Sequence, residues 1–149
     1  MVVAFNTDTG EALYSATTAD NNHHNELLNA IAGQAACILP GDAENSMYEG
    51  YFHDGSRACI REEMPIETSK DGPIQVNEEQ RIKGVIKGSH VLLQRISSVI
   101  LPEHQSILFD GECGENEICL KFAEPGRYSL TISKPPQYLN FAQEITVIA

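Results

Sequence analysis

Four groups of residues carry side chains able to hold a metal or move a proton. His23 and His24 are adjacent among asparagines. Glu62-Glu63 and Glu78-Glu79 are paired carboxylates. Asp110, Glu112, Glu115 and Glu117 crowd the stretch FDGECGENE. Neighbouring histidines on a helix do not face each other, so they read as solvated residues at a helix start rather than as ligands. Successive strand residues point to opposite faces, so each glutamate pair splits unless it lies in a loop. Neither supplies the two carboxylates across a cleft that hydrolysis of a glycan needs. A calcium loop wants oxygen ligands in a run such as DxDxDG, which FDGECGENE does not match.

The remaining chemistry-bearing types are as sparse. The four cysteines, Cys37, Cys59, Cys113 and Cys119, form no CxxC. The histidines form no HxxxH, and no pair has zinc-finger spacing. Cys113 and Cys119 flank GENEI, a candidate hairpin tip. A disulfide across it is conceivable, and four reduced thiols is the simpler reading in the absence of a secretory context. The sequence holds no GxSxG, no HExxH and no phosphate-cradling glycine loop. Lys83-Gly84 and Lys87-Gly88 do not make a phosphate site. Tryptophan, the commonest sugar-stacking platform, is missing. Tyr48, Tyr51 and Phe52 cluster on one expected hairpin and are the single candidate interaction surface, provided that they are exposed. The alternative is packing within the sheet. We therefore expect no catalytic residue, no cofactor and no metal.

Any such surface must be positioned by β-structure. The hydrophobic fraction of 42 % in 149 residues allows one domain or two very small ones. Residues 2–6 form a short apolar run, Thr7-Asp8-Thr9-Gly10 a turn, and residues 11–18 a second strand. Asp20, Asn21 and Asn22 are candidate N-caps for a helix with Leu27, Leu28 and Ile31 on one stripe, and Gly33 is its stop. Residues 36–39 read as a third strand, completing ββαβ. Residues 41–46 are turn-like. Residues 47–53 and 57–61 flank Asp54-Gly55-Ser56, a strong hairpin signal.

Pro65 biases its neighbour towards extended structure, and a boundary falls at 61–65. Beyond it come short strands near 66, 74–76, 81–86, 90–93, 98–101, 107–109, 117–122, 127–133 and 144–148. Turns lie at Asp71-Gly72, Lys87-Gly88, Asp110-Gly111, Gly114-Glu115 and Pro125-Gly126. This spacing predicts a β-sandwich of immunoglobulin-like size. The expected fold is mainly β with one short helix: a small α+β domain over 1–62, then an immunoglobulin-like sandwich over 63–149.

Charge narrows the partners. The formal net charge is −11, from 21 acidic and 10 basic residues. So acidic a chain repels a phosphate backbone and an anionic leaflet, so neither nucleic acid nor a membrane is expected as a partner. Residues 27–40 are too short and too polar for a membrane span. The opening MVVAFNTDTGEAL lacks the basic and apolar regions of a signal peptide.

In order along the chain, VVAFNTDTGEALYSATT, AACILPGDAEN, MYEGYFHDG, REEMP and LKFAEPGRYSLTISKPPQYLNFAQEITV resemble segments of small structural proteins of tailed bacteriophages, which carry a C-terminal immunoglobulin-like domain. Residues 70–115 match poorly. KPPQYL departs in its doubled proline, and Lys87-Gly88-Ser89 lacks an asparagine-type turn residue. The resemblance implies a non-enzymatic virion protein associated with the tail or its fibre, assembled in the host bacterial cytoplasm. It implies other virion proteins (tail, fibre or baseplate) as partners, and a symmetric homo-oligomer in the particle. The rival readings are a capsid decoration protein and a carbohydrate-binding adhesin, the latter resting on Tyr48, Tyr51 and Phe52. The terminal EITVI could add to a neighbour's sheet or pair inside its own.

Overall fold

The computed structural model describes residues 1–39, 45–97, 106–134 and 136–149, with backbone alone at 45–47. The expected strand at 98–101 and most of the turn at 41–46 lie outside the described residues. Strands hold 51 % of the residues and the described residues contain one α-helix, so the protein is mainly β. The chain forms two compact units, Met1–Glu62 with Pro135–Leu139, and Glu63–Lys134 with Asn140–Ala149.

In the first unit, β1 (Val2–Asn6) is the centre of a three-stranded sheet. It pairs antiparallel with β2 (Ala12–Ala16) on one side and with β3 (Gln34–Ile38) on the other. The run VVAF lacks polar alternation because both of its faces are covered. Val2 and Ala4 meet Leu28 of helix α1 (Asn21–Asn29) and Ala36. Met1, Val3 and Phe5 form a second cluster with Leu39. The helix starts at Asp20, whose carboxylate accepts the His23 N–H at 3.0 Å. Of the expected apolar stripe only Leu28 is buried; Leu27 and Ile31 are exposed.

Asn29, at the end of α1, deals with the open edge of β3. Its side-chain amide donates to the Ala36 carbonyl at 3.1 Å and accepts the Ala36 N–H at 2.7 Å. One side chain thus satisfies the donor and acceptor that a neighbouring strand would otherwise take. Asn29→Ala is expected to cost about 1–3 kcal/mol, because two partly buried backbone groups lose their partner. Urea unfolding of the variant checks this, and faster amide exchange at Ala36 is the local signature.

The sequence predicts a strand over 47–53. The structure has a 3-10 turn at Asn45–Gly50 and only then β4 (Tyr51–His53), which pairs with β5 (Ala58–Ile60). Positions three apart eclipse in a 3-10 turn, and Tyr48 and Tyr51 both pack on the Met1–Val3–Phe5–Leu39 cluster. The Asp54-Gly55 hairpin forms as expected. Asp54 Oδ1 accepts the N–H groups of Ser56 (2.8 Å) and Arg57 (2.9 Å), which holds its carboxyl well below the usual carboxylate range.

Residues 136–139, which the sequence pattern assigns to the second domain, pack with the first unit. Tyr138 forms a parallel bridge with Glu62. The Glu62 N–H donates to Gln137 O (3.0 Å), the Leu139 N–H donates to Glu62 O (2.8 Å), and the Arg61 guanidinium donates to Tyr138 O.

The second unit contains β6 (Glu67–Thr68), β7 (Ile74–Gln75), β8 (Gln80–Lys83), β9 (Ser89–Ile96), β10 (Ile107–Cys113), β11 (Glu117–Leu120), β12 (Gly126–Ser133) and β13 (Phe141–Ile148). A five-stranded sheet runs β10-β9-β12-β13-β7 and a three-stranded sheet β11-β8-β6. Pairing is antiparallel except between β13 and β7. EITVI therefore pairs within its own unit. Tyr128, Leu130 and Ile132 are buried at alternate positions of β12, and Val91, Leu93, Ile145 and Val147 continue that core row on its neighbours. Gln80 is buried without penalty, since its amide donates to Lys70 O at 2.9 Å and accepts from the Ser69 hydroxyl at 3.2 Å.

Asp110-Gly111, expected as a turn, lies inside β10, opposite Leu92 and Val91. A Cβ at Gly111 would sit 3.3 Å from the Phe109 ring. The glycine there makes room for an aromatic side chain and does not reverse the chain.

Candidate functional site

The expected reactive groups are engaged in structural bonds or stand apart. His23 sits at the helix start, where its N–H meets Asp20. Glu78 takes the Gln75 N–H (2.7 Å) and pairs with Lys70 (2.9 Å), while Glu79 pairs with Arg81. The Gln75 N–H, with Lys70, pulls the Glu78 carboxyl below its ordinary range, and the Arg81 guanidinium does the same to Glu79. A general acid needs the opposite shift. Among the described residues no three His, Cys, Asp or Glu side chains come together as a metal site. All four cysteines are free thiols, and burial pushes the Cys37 thiol up.

Tyr48, Tyr51 and Phe52 are each half-buried. Tyr48 and Tyr51 serve the core cluster of the first unit. The expected aromatic surface is therefore largely packing, and the large apolar side chains that do face water lie elsewhere.

The most distinctive of these lie on β10. Val91 and Leu93, on β9, point into the space between the two sheets, and their partners on β10 are Gly111 and Phe109. Phe109 thus occupies a core row, yet it is 50 % exposed. A register shift between Ile107 and Phe109 brings Leu108, also 50 % exposed, to the same side. Facing them, Ile118 and Leu120 on β11 lie opposite the buried Ile82 and Gln80 of β8.

Since β10 and β11 end their respective sheets among the described residues, the space between them opens sideways. It forms an apolar groove of about 370 Å³ over Val91, Leu93, Ile118 and Leu120, a volume typical of ligand pockets. Leu93 is shared with a second hollow of about 650 Å³ towards Leu108 and Phe122.

The rim is acidic. Glu112, Glu115 and Glu117 line it, and Glu117 is held by Arg81 at 3.2 Å. Asp110, on the other face of β10, is paired with the His90 ring. Glu112 and Glu115 have no side-chain partner among the described residues. The signal missed in the sequence was an apolar pair, Leu108-Phe109, leading directly into alternating acids on one strand.

No helix among the described residues is long and apolar enough to cross a membrane. No family model, curated protein or solved structure matches the chain.

Proposed function

We propose that the chain is a non-enzymatic structural protein of a tailed-phage virion, associated with the tail, in which an immunoglobulin-like module holds a neighbouring component. The observation that carries this reading is the strand order of the second unit. With β6, β8 and β11 as strands A, B and E, and β9, β12 and β13 as C, F and G, the two sheets follow the A-B-E and C-F-G grouping of that fold, with β10 in the C′ place.

A tyrosine corner supports it. The Tyr128 hydroxyl, at the start of the F-like strand, donates to Glu124 O at 2.8 Å. Phe122 lies 4.3 Å from its ring, and Arg95 bonds Glu124 at 2.7 Å. EPGRY lies in the last of the stretches whose order along the chain resembles tail proteins. Tyr128→Phe is expected to lose about 1 kcal/mol with unchanged fold, the net contribution of one hydrogen bond. The shift in urea midpoint measures it.

The role itself is tested by peptide mass spectrometry and antibody labelling of purified particles. Label on the tail at a copy number matching tail symmetry is expected. Label on the head would replace this reading with a decoration protein, and particles lacking the chain would end both.

A further inference from the structure

The two units treat their exposed edges differently. In the first, Asn29 occupies the backbone of β3. In the second, no described residue covers the outer edge of β10. The backbone geometry identifies the free groups. Cys113 O accepts the Gly88 N–H at 2.7 Å, so the peptide groups of Cys113 face β9. By strand periodicity those of Glu112 and Asp110 face outward. Beside this free edge lies the open apolar groove, and the side chains alternating with the groove row are acidic.

We propose that the edge of β10 receives an extended segment of a partner protein as an added strand. Its alternate apolar residues seat over Val91, Leu93, Ile118 and Leu120, and its intervening lysines or arginines oppose Asp110 and Glu112. Each part of the site selects one feature of this occupant. Free N–H and C=O groups in a row select a strand. The groove, bottomed by four aliphatic side chains, selects apolar residues with a period of two. The carboxylates select basic residues between them.

The same charges argue against a second copy at this edge. Two β10 strands side by side would set Asp110 and Glu112 of each against those of the other, and like charges facing across a sheet are unfavourable. The inference rests on the reading of the chain as an assembly protein, and it names the chemistry of the neighbour held.

The probes are three eight-residue peptides, blocked at both ends. One alternates valine and lysine, one alternates valine and glutamate, and one is the lysine peptide with a central proline. Each is titrated into the full chain at low salt and followed by backbone amide NMR. The lysine peptide is expected to shift the amides of Phe109, Glu112 and Ile118, and to bind about tenfold more tightly than the glutamate peptide, as two favourable cross-strand pairs allow. The preference should shrink as salt rises. The proline peptide should not bind, because it lacks a strand donor.

Glu112→Pro removes an outward N–H at an edge position that tolerates proline. It should abolish binding, while Glu112→Gln retains it in part. Asp110→Lys combined with Glu112→Lys should reverse the preference to the glutamate peptide, an outcome that misfolding cannot imitate. Equal binding of both charged peptides, no shift at the β10 and β11 amides, or a homodimer of the wild-type chain that excludes the peptide would overturn the inference. Particles that contain the chain, with a groove that ignores the peptides, would sink the inference and leave the structural role standing. Peptide binding by a chain absent from particles would do the reverse.

Discussion

Phe5→Ala is expected to remove about 3–5 kcal/mol of stability and to unfold the first unit at ordinary temperature. Phe5 is fully buried on the central strand, with the His53 ring 5.7 Å from its own. Among the described residues its cluster is small, with Met1, Val3 and Leu39 besides, and Tyr48, Tyr51, Ala12, Cys37 and Ala58 packed around them. A unit of this size buries a modest share of its surface and has a narrow margin of stability. The loss of one aromatic ring takes most of it. In the amide NMR spectrum, the signals of β1, β2 and β3 should lose their dispersion. Tyr51→Ala should weaken the same unit, and combined with Phe5→Ala it should cost less than the sum of the two. Full additivity would mean that Tyr51 does not share the core and would restore it as a recognition residue. An unchanged spectrum in Phe5→Ala would mean that the sheet does not depend on this cluster.

That test matters because the aromatics of MYEGYFH are the sequence's single candidate for a recognition face. The hairpin signal at Asp54-Gly55 was legible, since the Asp54 carboxylate and the left-handed backbone of Gly55 make the turn locally. The 3-10 turn before it was not. Its cause is tertiary, the shared burial of Tyr48 and Tyr51 on β1, and no local propensity encodes that. β12 and β13 were legible because one face of each is buried and the other faces outward, so apolar and polar residues alternate. β10 runs longer than its sequence suggests because Asp110-Gly111 has the composition of a turn, while its glycine answers to the Phe109 ring. The position of Tyr138 beside Glu62 depends on a contact between residues far apart in sequence, which periodicity cannot report. The candidate groove was hidden for the same reason. Its floor comes from β9 and β11 of different sheets, and only the sheet order makes neighbours of them.

Gly84→Ala is expected to be the other severe substitution, at about 3–5 kcal/mol. In sequence this glycine falls inside the strand expected near 81–86, whereas β8 ends at Lys83. In the structure it has φ +78°, and a Cβ built on it would lie 1.8 Å from the Pro65 carbonyl oxygen and 2.8 Å from its carbon. The obstacle is backbone, and that backbone cannot retreat freely. Met64 before it is buried, the Ile66 N–H donates to Met64 O at 2.8 Å, and β6 just beyond is paired to β8 at Glu67 and Lys83. On the other side Val85 is buried, and its N–H donates to Asn116 O at 3.1 Å.

Two costs therefore add, the left-handed backbone and the displaced β6 connection. Gly72 separates them, since it has φ +83° in the same unit and a Cβ there would meet nothing within 4 Å. Gly72→Ala should cost only about 1–2 kcal/mol, the backbone share alone. Chemical denaturation of the two variants measures the difference. Equal losses would show that β6 gives way easily, and the close seating of Pro65 on Gly84 would then not be what fixes the edge of the three-stranded sheet. A much larger loss at Gly84 would identify that contact as the anchor of β6 on β8, and through β8 of the β11 edge that borders the groove.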